Sequence, residues 1–376
     1  MDKVAIIGTA QWASAQPTSH AFYELATIVA EQALHNAGID RGAVDAWFMG
    51  EYDLSVGRTA SHMYTVPAAG GFYQDEIRIH DDGLFAAVQA FLGILSGEYE
   101  VVLVVSTGVA SETCQDRLST YSLDPFFVRP LGLTEAIANA MQAHSYRIRH
   151  NITNIEGAQR VVKSRTQAQL NANASVWAPI TVSEVLNAPY AVYPLRSPEF
   201  APYCDGACAV VMASEPVARR LGRPPIWIRG IGWANDTYHL GDKDLAHLPA
   251  LEKAAEMAYH MADITDPPRQ VDVAELYDVT VYHEIMASEA LGLFEKGAMH
   301  QWLQEPLSTP GPAINPSGGL IGGRPAAAAG LIRLAESVGQ VMGRAGRHQV
   351  DGARTAMAQS MSGWGNQRAA VMIVGR

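Results

Sequence analysis

The sequence predicts a duplicated α/β fold, with two similar halves stacked as a layered sandwich. Three observations carry this expectation. The strand–helix–strand order that opens the chain starts again at Ile226. Val101 to Val105 is apolar without interruption, as a strand covered by helices on both faces must be. The glycine-rich stretch Asn315 to Gly330 stands before its helix where His80 to Gly83 stands before a helix in the first half. Each half buries its strands only when helices cover them, so layers are the economical arrangement.

Taken in order, Val4 to Gly8 is a short apolar strand. Residues 21–37 carry helical spacing through Phe22, Leu25, Ala26, Val29 and Leu34, and stop near Gly38. Val44 to Phe48 is the second strand, and residues 52–75, rich in Gly, Ser, His and Tyr, read as an exposed excursion. Ile77 to Ile79 is a short strand that runs into His80-Asp81-Asp82-Gly83. The helix after it is apolar at Leu84, Ala87, Val88, Phe91, Leu92 and Leu95. The long polar stretch of residues 112–200 predicts an inserted subdomain, and Asp205 to Met212 returns to the sheet. Glu215 to Pro225, with three arginines and three prolines, is the candidate linker, which divides the chain into residues 1–225 and 226–376.

The second half repeats the pattern. Ile226 to Ile231 is a strand, residues 250–262 a helix, Val271 to Leu276 a strand, and Ala369 to Val374 the last strand. Between them, Gly318, Gly319, Gly322 and Gly323 crowd ahead of Pro325. Its fixed φ is expected to open a helix that continues through Leu331, Leu334 and Val338. Such a glycine loop either makes a tight structural turn or aims backbone N–H groups at an anion or a developing oxyanion.

Composition narrows the function. With 376 residues and 27 basic against 38 acidic side chains, the net charge of −11 argues against nucleic acid as the main partner. No apolar run reaches the roughly 18 residues that span a bilayer, and the first strand leaves no room for a signal peptide. Cys114, Cys204 and Cys208 form no metal-ligand pattern and suit a reducing compartment. A soluble cytoplasmic protein without a metal or membrane partner is expected.

Several motifs together resemble the thiolase superfamily, in particular the sterol-carrier-protein-type thiolases. They are Asn315-Pro-Ser-Gly-Gly-Leu, Asp205-Gly-Ala-Cys-Ala-Val-Val, Val162-Lys-Ser-Arg through Asn171-Ala-Asn-Ala, Glu275-Leu-Tyr-Asp, and Glu289 to Gly297. The resemblance covers nearly the whole length. It implies a five-layered αβαβα sandwich of two similar halves with a loop subdomain in the first.

The departures from the family pattern bear on function. By this resemblance, His80 occupies the place of the nucleophilic cysteine before its helix, where a lowered thiol pKa would make a nucleophile. Tyr277, before Asp278, takes the place of a catalytic histidine, and Arg324 that of another. Ser360-Met-Ser-Gly-Trp-Gly365 stands where a second cysteine would lie. Ordinary Claisen chemistry is then not expected.

What remains implies a coenzyme A thioester as substrate, with no covalently bound cofactor. Asn315, Gly319, Gly323, Ser362 and Gly363 would lie on the substrate and oxyanion side. Retro-aldol cleavage of a β-hydroxyacyl-CoA needs no acyl enzyme. It needs a base for the hydroxyl proton and donors for the departing enolate. Tyr277 serves as base or relay if Arg324 depresses its pKa; otherwise His80 does. Some thiolase-like aldolases work with a small partner carrying a zinc ribbon and an oligonucleotide-binding-type barrel. The alternative is a non-catalytic subunit of a hetero-oligomeric thiolase or acyltransferase complex. Either way a homodimer or heterodimer is implied.

Each candidate also has a plainer reading. Asp81 and Asp82 can cap the helix that follows, Tyr277 can be a core tyrosine, and Asp278 can hold backbone amides. Arg324 can neutralise Asp81 or Asp82, and His283 and Glu284 can be supporting or surface residues. Trp364 can wall an acyl pocket.

Overall fold

The computed structural model describes residues 3–294 and 311–376. The first half contributes β1 (Val4–Ser14), β2 (Ala46–Gly50), β3 (Asp75–Ile79) and β4 (Val101–Val109). A small hairpin, β5 (Tyr190–Val192) and β6 (Leu195–Arg196), precedes the long β7 (Tyr203–Ser214). The second half supplies β8 (Ile226–Asn235), β9 (Val273–Glu275), β10 (Ala313–Ile314), β11 (Arg324–Pro325), β12 (Thr355–Ser362) and β13 (Arg368–Gly375).

The strands of the first half lie in the order β3-β2-β4-β7-β1, those of the second in the order β10-β9-β12-β13-β8. The pairing sense also repeats. In each half three strands are parallel and the last two antiparallel. The halves meet where β1 pairs with β8 through Ala5 with Trp227 and Ile6 with Ile226.

Alternating side chains on these strands feed separate cores. Leu103, Val105, Ala209 and Val211 pack with the helix Phe22–Ala37 on one side. Val102, Val104, Val210 and Met212 face the other way, onto the helices Gly83–Leu95 and Ala329–Met342. Ala356, Ala358, Met372 and Val374 of the second half reach the same central helices. Met357, Val371 and Ile373 pack instead with the helix Pro249–Ala262. Helix, sheet, helix pair, sheet and helix make the five layers.

Glycine lets the two central helices meet at their starts. A Cβ added at Gly330 would lie 2.0 Å from Asp82 Oδ1, and one at Gly83 would lie 2.8 Å from Leu331 Cβ. The contact is tied by hydrogen bonds. Asp82 caps its own helix by accepting from Leu84 N at 3.0 Å, and its other oxygen accepts from Gly330 N at 2.9 Å. Gly83 N donates to Ala327 O at 2.7 Å.

Two expectations need correction, and one strand was not foreseen. Pro325 does not open a helix; Arg324 and Pro325 lie alongside Tyr203 and Cys204 as β11, and the helix begins at Ala329. Missing the N–H of Pro325 costs nothing there, because the pairing uses Arg324 N, which donates to Pro202 O at 2.9 Å. Residues 52–75 are only partly exposed: they hold the helix His62–Ala69, and Ser55, Val56, Ser61, Thr65, Val66 and Ala69 are buried. The strand β12 has no counterpart in the sequence reading, since Thr355-Ala-Met-Ala-Gln-Ser-Met-Ser has a single β-branched residue, Thr355, and no aromatic to signal a strand.

The inserted region carries the helices Gln115–Tyr121, Glu135–His150, Asn154–Ala168 and Val182–Asn187. No helix among the described residues is long and apolar enough to cross a membrane. Glu295 to Gly297, the end of one family-like motif, lie outside the described residues.

Candidate functional site

Strand β9 ends at Glu275, and the chain then delivers Leu276, Tyr277 and Asp278 into the interior. Their backbone groups are fixed by side chains. Leu276 N donates to Asn315 Oδ1 at 2.6 Å, and Tyr277 N donates to Gln359 Oε1 at 2.8 Å. Asp278 Oδ1 in turn accepts from Leu320 N in the glycine loop at 2.6 Å.

The loop needs glycine at 319, where φ is +62°. A Cβ there would lie 2.5 Å from Asp278 Oδ2 and 2.8 Å from Asn315 Nδ2. The loop amides are satisfied within the protein: Gly318 N by Asn315 O, Gly322 N by Gly319 O and Gly323 N by Leu320 O. Among the described residues, Asp278 Oδ2, Asn315 Nδ2 and Gln359 Nε2 have no hydrogen-bond partner. Buried polar atoms are rarely left so, and each is free to bond a water or another group.

The Tyr277 hydroxyl lies 3.3 Å from Arg324 Nη2. Arg324 also donates to Glu135 Oε1 at 2.5 Å and to the Tyr203 hydroxyl at 3.3 Å. Tyr203 closes the cluster by donating to Glu135 Oε2 at 3.1 Å. The guanidinium carbon stands over the rings of Tyr203 and Tyr277, 4.9 and 5.5 Å from their centroids. Arg324 thus pairs with Glu135; Asp81 has its ion pair with Arg368 instead.

Burial pushes the Tyr277 phenol well above its ordinary value, although Arg324 pulls the other way. The phenol is therefore protonated at rest and stands as a donor rather than a base. Burial works against a charged Glu135 as well, but Arg324 and the hydrogen bonds outweigh it and hold that carboxyl below its ordinary value.

Two buried carboxyls behave otherwise. Burial pushes both Asp82 and Asp278 up to about 7, against amide hydrogen bonds from Leu84, Gly330 and Leu320. Asp82 is also near enough to Tyr277 for its charge to be felt there.

His80 stands apart. Its side chain is exposed, with Nδ1 3.3 Å from Arg78 Nη2 and its ring edge-on to Tyr52, whose hydroxyl donates to Asp81 Oδ1 at 3.0 Å. Ser362 ends β12, with its hydroxyl unpartnered, and Gly363 begins the turn into β13 at φ +74°. Trp364 lies in a small core with Leu123 and Ala138 under the inserted region, its Nε1 donating to Ser122 Oγ at 3.1 Å. His283 and Glu284 are not surface residues. Glu284 pairs with the buried Arg160, and His283 lies between Thr280 and Gln142, with burial holding it down at about 3. The thiols of Cys204 and Cys208 are buried, which pushes Cys204 up to about 12, and Cys114 is exposed.

Sequence reasoning missed Glu135, Tyr203, Gln142 and Gln359. Nothing local distinguishes them, because their partners are 68 to 224 residues away in the chain.

Comparison with known proteins agrees with this architecture. Residues 232–376 match a family described as thiolase C-terminal domain-like. Acetyl-CoA acetyltransferase of Methanothermobacter thermautotrophicus is 28% identical over 100% of both chains. The benzoylsuccinyl-CoA thiolase subunit BbsB of Thauera aromatica is 31% identical over 56% of each. Among solved structures, the Ltp2-ChsH2(DUF35) aldolase superposes with a TM-score of 0.85 at 22% identity, covering 99% of this chain and 97% of that one. A monomeric SCP2-thiolase-like protein from Mycobacterium smegmatis gives 0.72 at 19% identity, over 99% and 76%. Residues 232–376 are therefore similar to the thiolase C-terminal domain-like family, and the whole chain is similar in sequence to an acetyl-CoA acetyltransferase.

Proposed function

We propose that this protein acts on acyl-CoA thioesters and cleaves a carbon–carbon bond in a β-hydroxyacyl-CoA by a retro-aldol reaction. The observation that carries the reading is the cluster of Tyr277, Arg324, Glu135 and Tyr203, which offers a proton donor and a fixed cation but no nucleophile. Two of the unpartnered donors, Asn315 Nδ2 and Gln359 Nε2, suit the thioester oxygen as it becomes an enolate oxygen. A thiol nucleophile has no place in the scheme, since His80 stands where the resemblance puts the family's cysteine.

The steps balance as follows. The β-hydroxyl proton passes to ionised Asp82, which at about 7 is a usable acceptor at neutral pH. The bond between Cα and Cβ breaks, the hydroxyl carbon becomes a carbonyl, and the electron pair remains as the thioester enolate. Tyr277 gives its proton to Cα and recovers one from Asp82. No proton is gained or lost. Arg324 stabilises the transient phenolate, and Asp278 holds the glycine loop.

A dimer, with itself or with a smaller protein, is part of the proposal. Calorimetric titration with acetyl-CoA and propionyl-CoA, with and without co-purifying proteins, tests the binding step. Binding in either state is the expected result. Its absence in both leaves a non-catalytic assembly subunit as the better reading.

A further inference from the structure

The helix Glu135–His150 belongs to the inserted region, yet one of its faces reaches three separate pieces of the site. Glu135, Asn139 and Gln142 follow one another at spacings of four and three, so they share a face. Glu135 holds Arg324 and Tyr203. Asn139 accepts from Asn366 Nδ2 at 3.3 Å. Gln142 accepts from the same nitrogen at 2.8 Å and from His283 Nε2 at 3.2 Å. Thr134 starts the helix by accepting from Ile137 N at 3.2 Å.

We propose that Glu135 is a positioning residue: its carboxylate holds the Arg324 guanidinium against the Tyr277 hydroxyl and matches its charge, so that the inserted region governs the proton donor. This rests on the role given to Tyr277 above. One Glu135 oxygen takes Arg324 and the other takes Tyr203, and Arg324 is the bridge to Tyr277. Glu135 remains 31% exposed and Arg324 12%. Solvent or an incoming thioester therefore reaches the pair from the Glu135 side.

The charges that bear on Tyr277 are Arg324, which favours phenolate, and Asp82 and Glu135, which oppose it. Tyr52 and Tyr203 are the neighbouring phenols, and both are pushed up by burial. Removing the Glu135 charge leaves Arg324 unopposed on this side. The phenol then loses its proton more readily.

The test is alkaline titration of tyrosinate absorbance on the full chain, with circular dichroism to confirm the fold. In Glu135→Gln, Tyr203 and Tyr277, both opposed by the Glu135 charge, are expected to ionise at a lower pH, and one component, that of Tyr277, moves by about one unit or more. That component is absent when Tyr277→Phe is added. Glu135→Asp keeps the charge but withdraws it by one methylene, and it is expected to move the same component less; it serves if Glu135→Gln does not fold. Thr134→Ala weakens the same helix start and leaves the carboxylate in place, so it is expected to leave the titration unchanged.

An unchanged titration in Glu135→Gln overturns the proposal. So does an equal shift in Thr134→Ala, which would make the effect structural. Turnover gives a second reading: kcat changes in Glu135→Gln while KM for the thioester is kept. The titration stands whether or not the wild-type protein turns over a β-hydroxyacyl-CoA, so failure of the retro-aldol reading and failure of this one are distinguishable.

Discussion

Tyr277 gives its proton once in each proposed turnover, so the phenol oxygen is the atom to remove. Tyr277→Phe keeps the ring packing and the backbone bond to Gln359 and loses only the hydroxyl contact with Arg324. We expect kcat to fall by about 10²- to 10⁴-fold, with acyl-CoA binding retained, as measured by steady-state kinetics beside calorimetry. Asp278 makes a second residue-scale prediction through its linkage to pH. A carboxyl raised from its ordinary value to about 7 binds its proton more tightly in the folded state. Between about pH 4 and pH 7 the native protein then holds more protons than the unfolded chain, and this group makes stability fall as pH rises. Asp278→Asn removes that dependence. Compared with the parent, the variant should gain up to a few kcal/mol on going from pH 4 to pH 8, measured by urea unfolding at both pH values.

At the scale of elements, the meeting of the two central helices is set by two glycines and one carboxylate. Gly330→Ala would force a methyl group to within 2.0 Å of Asp82 Oδ1 and 2.6 Å of Ser360 Cβ. Overpacking of this kind costs about 1–3 kcal/mol, and loss of the Gly330 N–H bond to Asp82 adds to it. Chemical denaturation should show a loss in that range or above. Periodicity and capping residues announce such elements well. Helix Phe22–Ala37 and its Gly38 stop were legible, as were Gly83–Leu95 and the strand from Val101. The start of the last central helix was not. Pro325 carries the local signal for a helix start, but its neighbour Arg324 pairs with Tyr203 in β7, and that long-range bond decides the conformation. Strand β12 was invisible for the same reason, since small and polar residues take extended form only because β9 and β13 flank them. The site divides along this line. Tyr277, Asp278 and Asn315 sit in motifs, whereas Glu135 and Tyr203 acquire their roles only through contacts across the fold.

The whole molecule is two halves that cannot bury their inner faces separately. Strands of both halves close over one pair of helices, and one of those helices comes from each half. Residues 1–225 alone would expose the apolar side of β4 and β7 and the face of Gly83–Leu95. Calorimetry should therefore show a single transition with equal calorimetric and van't Hoff enthalpies, and residues 1–225 expressed alone should fail to give a cooperative one. The interleaving also explains how an inserted region of one half can hold Arg324 of the other.

As proposed, this thiolase-like chain breaks a carbon–carbon bond without forming an acyl enzyme. Mass spectrometry of the protein and of the small molecules after incubation with a β-hydroxyacyl-CoA, with any co-purifying partner present, tests it most directly. A shortened acyl-CoA and an equimolar carbonyl compound are expected, with no mass added to the protein, and Tyr277→Phe should form both about 10²- to 10⁴-fold more slowly. An acyl group attached to the protein, or the same products from Tyr277→Phe at an undiminished rate, would contradict it.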